Sequence, residues 1–162
     1  MIVGIDLGTT KSVVGVCENG DVRIVPSEGG NNSIPSAILV TPNGEVHAGE
    51  PARSHRDRYT GRNVTISSVK RMMGRHGETG WGWWKTYPQE VSAFILSELK
   101  YMAARALGRS VDKAVIAIPS HFDESQRRAT KEAAEIAGLE VVRLVNEATA
   151  AAFEVVPSVV EG

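Results

Sequence analysis

The stretch Ile2-Val3-Gly4-Ile5-Asp6-Leu7-Gly8-Thr9-Thr10-Lys11-Ser12-Val13-Val14-Gly15-Val16 decides the fold of this chain. Two runs rich in β-branched residues, 2–7 and 12–16, flank the polar turn 8–11. This pattern predicts a β-hairpin, in which Gly8 allows the backbone to turn without a Cβ clash. Further strands and helices are expected to be added to this hairpin along the chain.

The turn of this hairpin has the chemistry of an anion site. Clustered backbone N–H groups form a positive concavity that can hold a phosphate, and Thr9 and Thr10 add hydroxyl groups. Asp6, near the end of the first strand, suits a magnesium ion held through water better than it suits the phosphate itself. A phosphate and Mg²⁺ together indicate a nucleotide. For these residues alone, an ordinary hairpin with a Gly-Thr turn is the alternative.

Composition limits the class of protein. The 162 residues are enough for one domain, and 18 basic against 19 acidic residues leave a net charge of −1. Cys17 is the single cysteine, so the chain can form no internal disulfide, which predicts a reducing compartment. No apolar run approaches the roughly 20 residues of a membrane span, and no secretory leader precedes the first strand. We therefore expect a cytoplasmic protein with no membrane partner.

One segment is strongly basic. Between Arg53 and His76 there are seven Lys or Arg residues and one acid, Asp57. Such clusters are usually solvated faces, so no nucleic-acid binding is expected here. The segment that follows holds Trp81, Trp83 and Trp84, for which the sequence indicates either a small core or an exposed contact patch.

The remaining chain predicts an α/β fold. Strands are expected at 22–25, in a second hairpin at 36–41 and 45–48, and in the parallel runs 113–118 and 139–145. Helices are expected at 67–73, from a Thr86 N-cap with Gln89 to Gly108, from an Asp123 N-cap with Gln126 to Ala137, and at 146–155. Because strands separated by crossover helices run parallel, the expected sheet is mixed: an antiparallel meander, then parallel strands flanked by helices.

Four motifs carry a resemblance to a known family. The first stretch resembles the phosphate loop of the actin-like ATPases, and its sequence is similar to that of the seventy-kilodalton heat-shock (DnaK-type) chaperones. The other motifs follow in the same order along the chain: Val69-Lys70-Arg71-Met72-Met73-Gly74-Arg75, Ala117–Phe122 with Gln126–Thr130, and Ile136–Val141 with Val145–Ala152. The resemblance implies a ribonuclease H-like (actin-like ATPase) lobe.

The resemblance also implies cofactors and catalytic residues. Gly8, Thr9, Thr10 and Lys11 would hold the phosphates of ATP or ADP, and Asp6 would lie in the outer shell of Mg²⁺, through water. Lys70 and Glu147 match the family's catalytic pair. Without the resemblance, a solvated helix lysine and a first-turn acid are the default interpretations of these two residues.

Three further residues match the positions through which the family transmits its nucleotide state. Pro119 and Arg127 match the pair that signals to a peptide-binding domain, and Arg143 matches a contact of the J-domain co-chaperone. A nucleotide exchange factor is the other partner that the family implies. Pro119 also has a plainer interpretation, as a residue that ends a strand.

The domain organisation follows from the same resemblance. Residues 1–162 match lobe I of the ATPase domain, with a shortened upper subdomain at about 35–110. An actin-like ATPase needs two Asp-x-Gly loops that face each other, and residues 1–162 contain one, at Asp6. We therefore expect lobe II and the peptide-binding domain to be absent and the isolated chain not to hydrolyse ATP. An exposed lobe face around Ala150–Phe153 would favour self-association. Two alternatives stay open: a free-standing non-catalytic actin-like interaction module, and a lobe of an actin-like small-molecule kinase.

Overall fold

A computed structural model describes residues 1–54 and 62–150. Within that part, α1 (Glu50–Ser54), α2 (Pro88–Leu107) and α3 (Glu124–Ile136) are α-helices, and Val69–Met72 is a short 3₁₀ helix. The strands are β1 (Ile2–Leu7), β2 (Lys11–Glu18), β3 (Asp21–Ile24), β4 (Ile34–Pro35), β5 (Ala37–Val40), β6 (Val46–Ala48), β7 (Val64–Ser67), β8 (Thr79–Trp81), β9 (Trp84–Thr86), β10 (Lys113–Ile118) and β11 (Glu140–Asn146).

The main sheet has the strand order β11-β10-β1-β2-β3, with β4 paired to one end of β2. Strands β1, β2 and β3 are antiparallel neighbours. Strand β10 pairs parallel with β1, and β11 pairs parallel with β10. This arrangement confirms the predicted meander followed by parallel strands.

One face of this sheet forms the core. Alternate residues of β1 are buried, namely Val3, Ile5 and Leu7, as the period of a strand requires when one face is covered. Helices α2 and α3 pack against each other, α2 against β1 and β2, and α3 against β11. The largest buried side chains of α2, at Ile95, Leu96 and Leu99, belong to the same core.

The two long helices differ in how well the sequence predicts their start. Helix α3 begins as expected: Asp123 accepts a hydrogen bond from the Gln126 N–H, and the Gln126 side chain accepts one from the Asp123 N–H. The predicted Thr86 cap of α2 is wrong by one residue. Tyr87 is the N-cap, and the Glu90 carboxylate accepts both the Tyr87 N–H and the Thr86 hydroxyl. Thr86 is thus the last residue of β9.

Two small sheets lie beside the main one. Strand β5 pairs antiparallel with β6 and with β7, and β8 pairs with β9 in a hairpin. The predicted helix at 67–73 is only partly right, because Ser67 ends strand β7 and the helical turn is the 3₁₀ segment. Ser68, at φ +57°, separates the two elements.

Two of the three tryptophans of the β8–β9 hairpin pack against the core, and the third is exposed. Trp81 and Trp84 lie with ring centroids 6.3 Å apart and pack partly buried against the core. Trp83 is 51% exposed, and its Nε1–H donates a hydrogen bond of 2.6 Å to the Arg62 carbonyl. The hairpin therefore adds two rings to the core and presents one to solvent.

The end of the chain is described only in part. Residues 147–150 are helical, in agreement with the start of the predicted helix at 146–155. The proposed self-association face includes residues 151–153, which lie outside the described residues. No helix in the described ranges is long and apolar enough to cross a membrane.

Candidate functional site

The turn between β1 and β2 is too tight for a side chain at its first position. A Cβ added to Gly8 would lie 2.1 Å from the Lys11 carbonyl oxygen, well inside van der Waals contact. At Gly4, on the same strand, the nearest atom to an added Cβ would be 4.0 Å away. Glycine at position 8 is thus required by the close approach of the Lys11 backbone.

A cleft of about 440 Å³ lies beside this turn, where the carboxyl ends of β1, β10 and β11 meet. Ligands of open α/β sheets bind at this edge, because the loops that follow the parallel strands converge there. The lining residues come from the ends of these strands and from the 3₁₀ helix: Asp6, Gly8, Thr9, Lys70, Pro119, Ser120, His121, Asn146, Glu147 and Ala148.

Lys70 and Glu147 form an ion pair in this cleft. The Lys70 Nζ lies 2.6 Å from Glu147 Oε1 and 5.8 Å from the centroid of the Phe122 ring. Lys70 is buried, so it is not the solvated helix lysine of the default interpretation. A buried ammonium requires a partner, and Glu147 provides it.

Asp6 lines the same cleft. Burial raises the pKa of its carboxyl group above the ordinary value, although the side chain keeps contact with solvent. The Lys70 ammonium lowers this pKa and the Glu147 carboxylate raises it. A further cation near Asp6 would favour the ionised form of this carboxyl group.

The other residues predicted for the phosphate loop lie on the far side of the turn. Thr10 and Lys11 are exposed and line a neighbouring cavity of about 580 Å³, which Thr9 shares with the first cleft. Ser36 closes this second cavity, where its hydroxyl lies 2.7 Å from that of Ser12. The turn is thus open on two sides.

The residues predicted to transmit the nucleotide state lie at different depths. Pro119 lines the cleft, at the end of β10. Arg127 is on α3, and its Nε donates a hydrogen bond of 3.2 Å to the carbonyl of Phe122, whose ring lies under Lys70. Arg143 is exposed on β11, opposite Val115 of β10 and away from the cleft lining.

Sequence reasoning missed three residues of the cleft, Ser120, His121 and Asn146. All three follow or end a parallel strand, so the rule for the carboxyl edge of a parallel sheet could have found them. Asn146 accepts a hydrogen bond of 2.9 Å from the Ala148 N–H, which shapes the turn into the helical residues 147–150.

The basic segment 53–76 lies only partly within the described residues. Its described arginines Arg53, Arg62, Arg71 and Arg75 are exposed, whereas Lys70 is buried in the cleft. Residues 55–61 lie outside the described residues. The segment is therefore a solvated face with one internal lysine, as far as it is described.

Comparison with known proteins identifies the family of this chain. The family model described as Hsp70 protein matches residues 2–81 and 77–154, which together include every candidate site residue. The chain belongs to the Hsp70 family. The ribonuclease H-like lobe expected from the motifs is consistent with the actin-like ATPase fold of this family.

Two curated relatives are members of the same Hsp70 family. The proteins named "Chaperone protein DnaK" of Thermotoga petrophila and of Thermotoga sp. strain RQ2 are each 46% identical to this chain over 153 residues. The match covers 94% of this chain and 25% of each relative, so the chain spans a quarter of their length. Family membership implies nucleotide binding by the matched domain.

The residues of the cleft fit a nucleotide phosphate with Mg²⁺. The Gly8 turn and Thr9 line the cleft with backbone and hydroxyl groups, and Lys70 supplies a cation in the same cleft. The described residues contain no cluster of three or more His, Cys, Asp or Glu side chains that could hold a metal directly. The cleft has two carboxylates, Asp6 and Glu147, so a bound Mg²⁺ would take most of its oxygen ligands from water and phosphate.

Proposed function

We propose that this chain is lobe I of an Hsp70-type ATPase domain, and that its cleft binds the phosphates of ATP or ADP with Mg²⁺. The observation that supports this most is the placement of the Gly8 turn, Asp6, Lys70 and Glu147 around one cleft. In this proposal the upper subdomain, at about 35–110, is a shortened form of the family's.

The roles of the side chains follow from their positions. Thr9 and the backbone N–H groups of the turn bind phosphate oxygens, with Thr10 and Lys11 at the outer rim. Asp6 would hold Mg²⁺ through water, and the bound ion would supply positive charge to the phosphates. Lys70 donates to the terminal phosphate, and Glu147 orients the attacking water beside it.

The link to the rest of an Hsp70 protein is also a proposal. Pro119 contacts the cleft directly, and Arg127 reaches it through the Phe122 carbonyl. These two residues would transmit the state of the cleft to a second lobe and a peptide-binding domain. Arg143, exposed on β11, would meet a J-domain co-chaperone, and a nucleotide exchange factor would act on the same domain.

One observation favours a second candidate function, a non-catalytic interaction module. Trp83 and Tyr87 present aromatic surface at the β8–β9 hairpin, 51% and 41% exposed, beside the start of α2. Exposed aromatic groups are common contact residues of protein interfaces. A small-molecule kinase lobe has no comparable support, because the matched family is that of the chaperones.

The test is an NMR titration of the ¹⁵N-labelled chain with Mg·ADP and Mg·ATP. We expect dissociation constants on the order of millimolar, because the residues assigned above bind the phosphates and none of them binds the adenosine. Chemical shifts should change around residues 6–11, 70 and 119–121. The proposal would be refuted if the titration saturated with shifts in other residues only. It would also be refuted if the spectrum did not change at millimolar nucleotide.

A further inference from the structure

His121 occupies the cleft without a role in the proposed mechanism. It follows β10 directly, its side chain is exposed, and it lines the cleft together with Asp6, Lys70 and Glu147. In the described part of the chain, no hydrogen bond or ion pair engages its ring nitrogens. Its one defined contact is an edge-to-face packing on Phe122, with ring centroids 5.8 Å apart and planes at 86°.

We propose that His121 is a phosphate-binding residue of this cleft, the second cationic donor beside Lys70. This inference rests on the proposed function and adds a specific contact to it. The Phe122 ring is buried and serves both groups, since the Lys70 Nζ lies 5.8 Å from its centroid and His121 packs on its edge. The two donors are therefore held around one rigid ring.

The charges of the cleft explain why a second donor is needed. Lys70 is paired with Glu147, and Asp6 adds another carboxylate, so the cleft carries more negative than positive charge without His121. An imidazole N–H donates to a phosphate oxygen in either protonation state, and the protonated ring also neutralises charge. His121 thus adds a side-chain donor beside Lys70, whose ammonium is already paired with Glu147.

The charged groups that share the cleft with His121 come from three elements: Lys70 is on the 3₁₀ helix, Asp6 is near the end of β1, and Glu147 follows β11. Asp123, two positions after His121, caps α3, where its carboxylate accepts the Gln126 N–H. Arg127 on α3 is directed to the Phe122 carbonyl. Because the cleft holds other ionisable groups, a single protein would not isolate the contribution of the imidazole, whereas the difference between matched variants does.

Sulfate is the probe, because its charge stays at −2 over the pH range in which an imidazole titrates. The ¹⁵N-labelled chain and its His121→Gln variant are titrated with sulfate at pH 6 and pH 8, with ionic strength held constant by chloride. We expect His121→Gln to weaken sulfate binding by about three- to tenfold at pH 6 and by about twofold or less at pH 8. His76→Gln is the matched control, since His76 lies outside this cleft. This variant should bind sulfate with the affinity of the wild type at both pH values.

A third variant separates the two levels of the proposal. Lys70→Met should weaken sulfate binding at both pH values if the cleft is a phosphate site. If Lys70→Met does so and His121→Gln equals the wild type, the role of His121 is wrong and the proposed function stands. If sulfate does not change the chemical shifts of residues 6–11 and 119–121 in the wild type, the role of His121 and the proposed function are both wrong. An equal loss at the two pH values would also overturn the role as a cationic donor.

Discussion

Lys70 Nζ lies 2.6 Å from Glu147 Oε1, although 77 positions separate the two residues along the chain. The lysine side chain is 9% exposed and the glutamate side chain 40%. The ammonium is therefore held in the cleft by a carboxylate that can turn towards solvent. An anion that enters the cleft competes with Glu147 for the same lysine.

Glu147→Gln should increase the affinity of the cleft for sulfate by about three- to tenfold, because it removes a negative charge and leaves Lys70 in place. The amide oxygen can still accept a hydrogen bond from Nζ, so the fold should be retained. NMR titration with sulfate at constant ionic strength measures the change. Glu140→Gln is the control, because Glu140 pairs with Lys113 at 3.3 Å on exposed strand positions. A weaker affinity in Glu147→Gln would mean that the carboxylate positions Lys70 for the anion.

Gly8→Ala should weaken sulfate and Mg·ADP binding by roughly ten- to a hundredfold. The added methyl group would lie 2.1 Å from the Lys11 carbonyl oxygen, so the turn must open. Loss of one hydrogen bond to a charged group costs about 1.5–3 kcal/mol, which corresponds to that range of affinity. Gly4→Ala is the matched control on the same strand, where the nearest atom is 4.0 Å away. Equal affinities in the two variants would show that the turn is not the anion site.

Asp6→Asn should stabilise the metal-free chain at pH 7. Burial raises the pKa of the folded Asp6 carboxyl group, so its ionised form is less favourable in the folded state than in the unfolded one. This cost is fully present above the folded pKa, shrinks as pH falls through it, and vanishes below the unfolded pKa. Because the carboxylate keeps contact with solvent, we expect a gain below about 1 kcal/mol.

Urea unfolding at pH 7 and pH 3.5, with a chelator present, measures this effect. The free energy of unfolding of Asp6→Asn should exceed that of the wild type at pH 7. The two values should be nearly equal at pH 3.5. A destabilised variant at pH 7 would mean that the Lys70 ammonium outweighs burial at this carboxylate. Mg²⁺-dependent nucleotide binding should decrease in the same variant.

Local patterns predicted the sheet well and the small elements less well. The strand 113–118 and the Asp123 cap of α3 follow from apolar runs and capping residues within a few positions. Strand β7 was missed because it has four residues and lies directly before a helical turn. Tyr87 rather than Thr86 caps α2, because the hairpin β8–β9 includes Thr86 as its last residue.

The candidate site was predictable only in its first half. Asp6 and Gly8 belong to one continuous pattern, whose chemistry can be derived from the residues themselves. The pairing of Lys70 with Glu147 depends on the whole fold, so only the family resemblance indicated both residues. His121 was missed because a histidine after a strand has no local signal, and its place in the cleft depends on the parallel pairing of β1 and β10.

Gly74→Ala should destabilise the chain by about 2–4 kcal/mol, because left-handed strain and a steric clash add up. Gly74 has φ +80°, and an added Cβ would lie 2.8 Å from Gln126 Cγ and 2.9 Å from the Gln126 nitrogen. It follows the 3₁₀ helix that carries Lys70, and its carbonyl accepts a hydrogen bond of 2.9 Å from the Ser125 hydroxyl. The substitution therefore pushes the lysine segment away from the start of α3.

Gly77→Ala separates the two contributions. Gly77 has φ +91° and no atom within 4 Å of an added Cβ, so only the left-handed strain of about 1–2 kcal/mol should appear. Urea unfolding with an unchanged m-value gives both free energies. If the clash is real, Gly74→Ala costs more than Gly77→Ala, and shortening Gln126 to Ala in the Gly74→Ala background recovers little, because the Gln126 backbone nitrogen remains in contact. Equal costs in the two glycine variants would mean that α3 can move away freely, and Lys70 would then not be held by the contact of its segment with this helix.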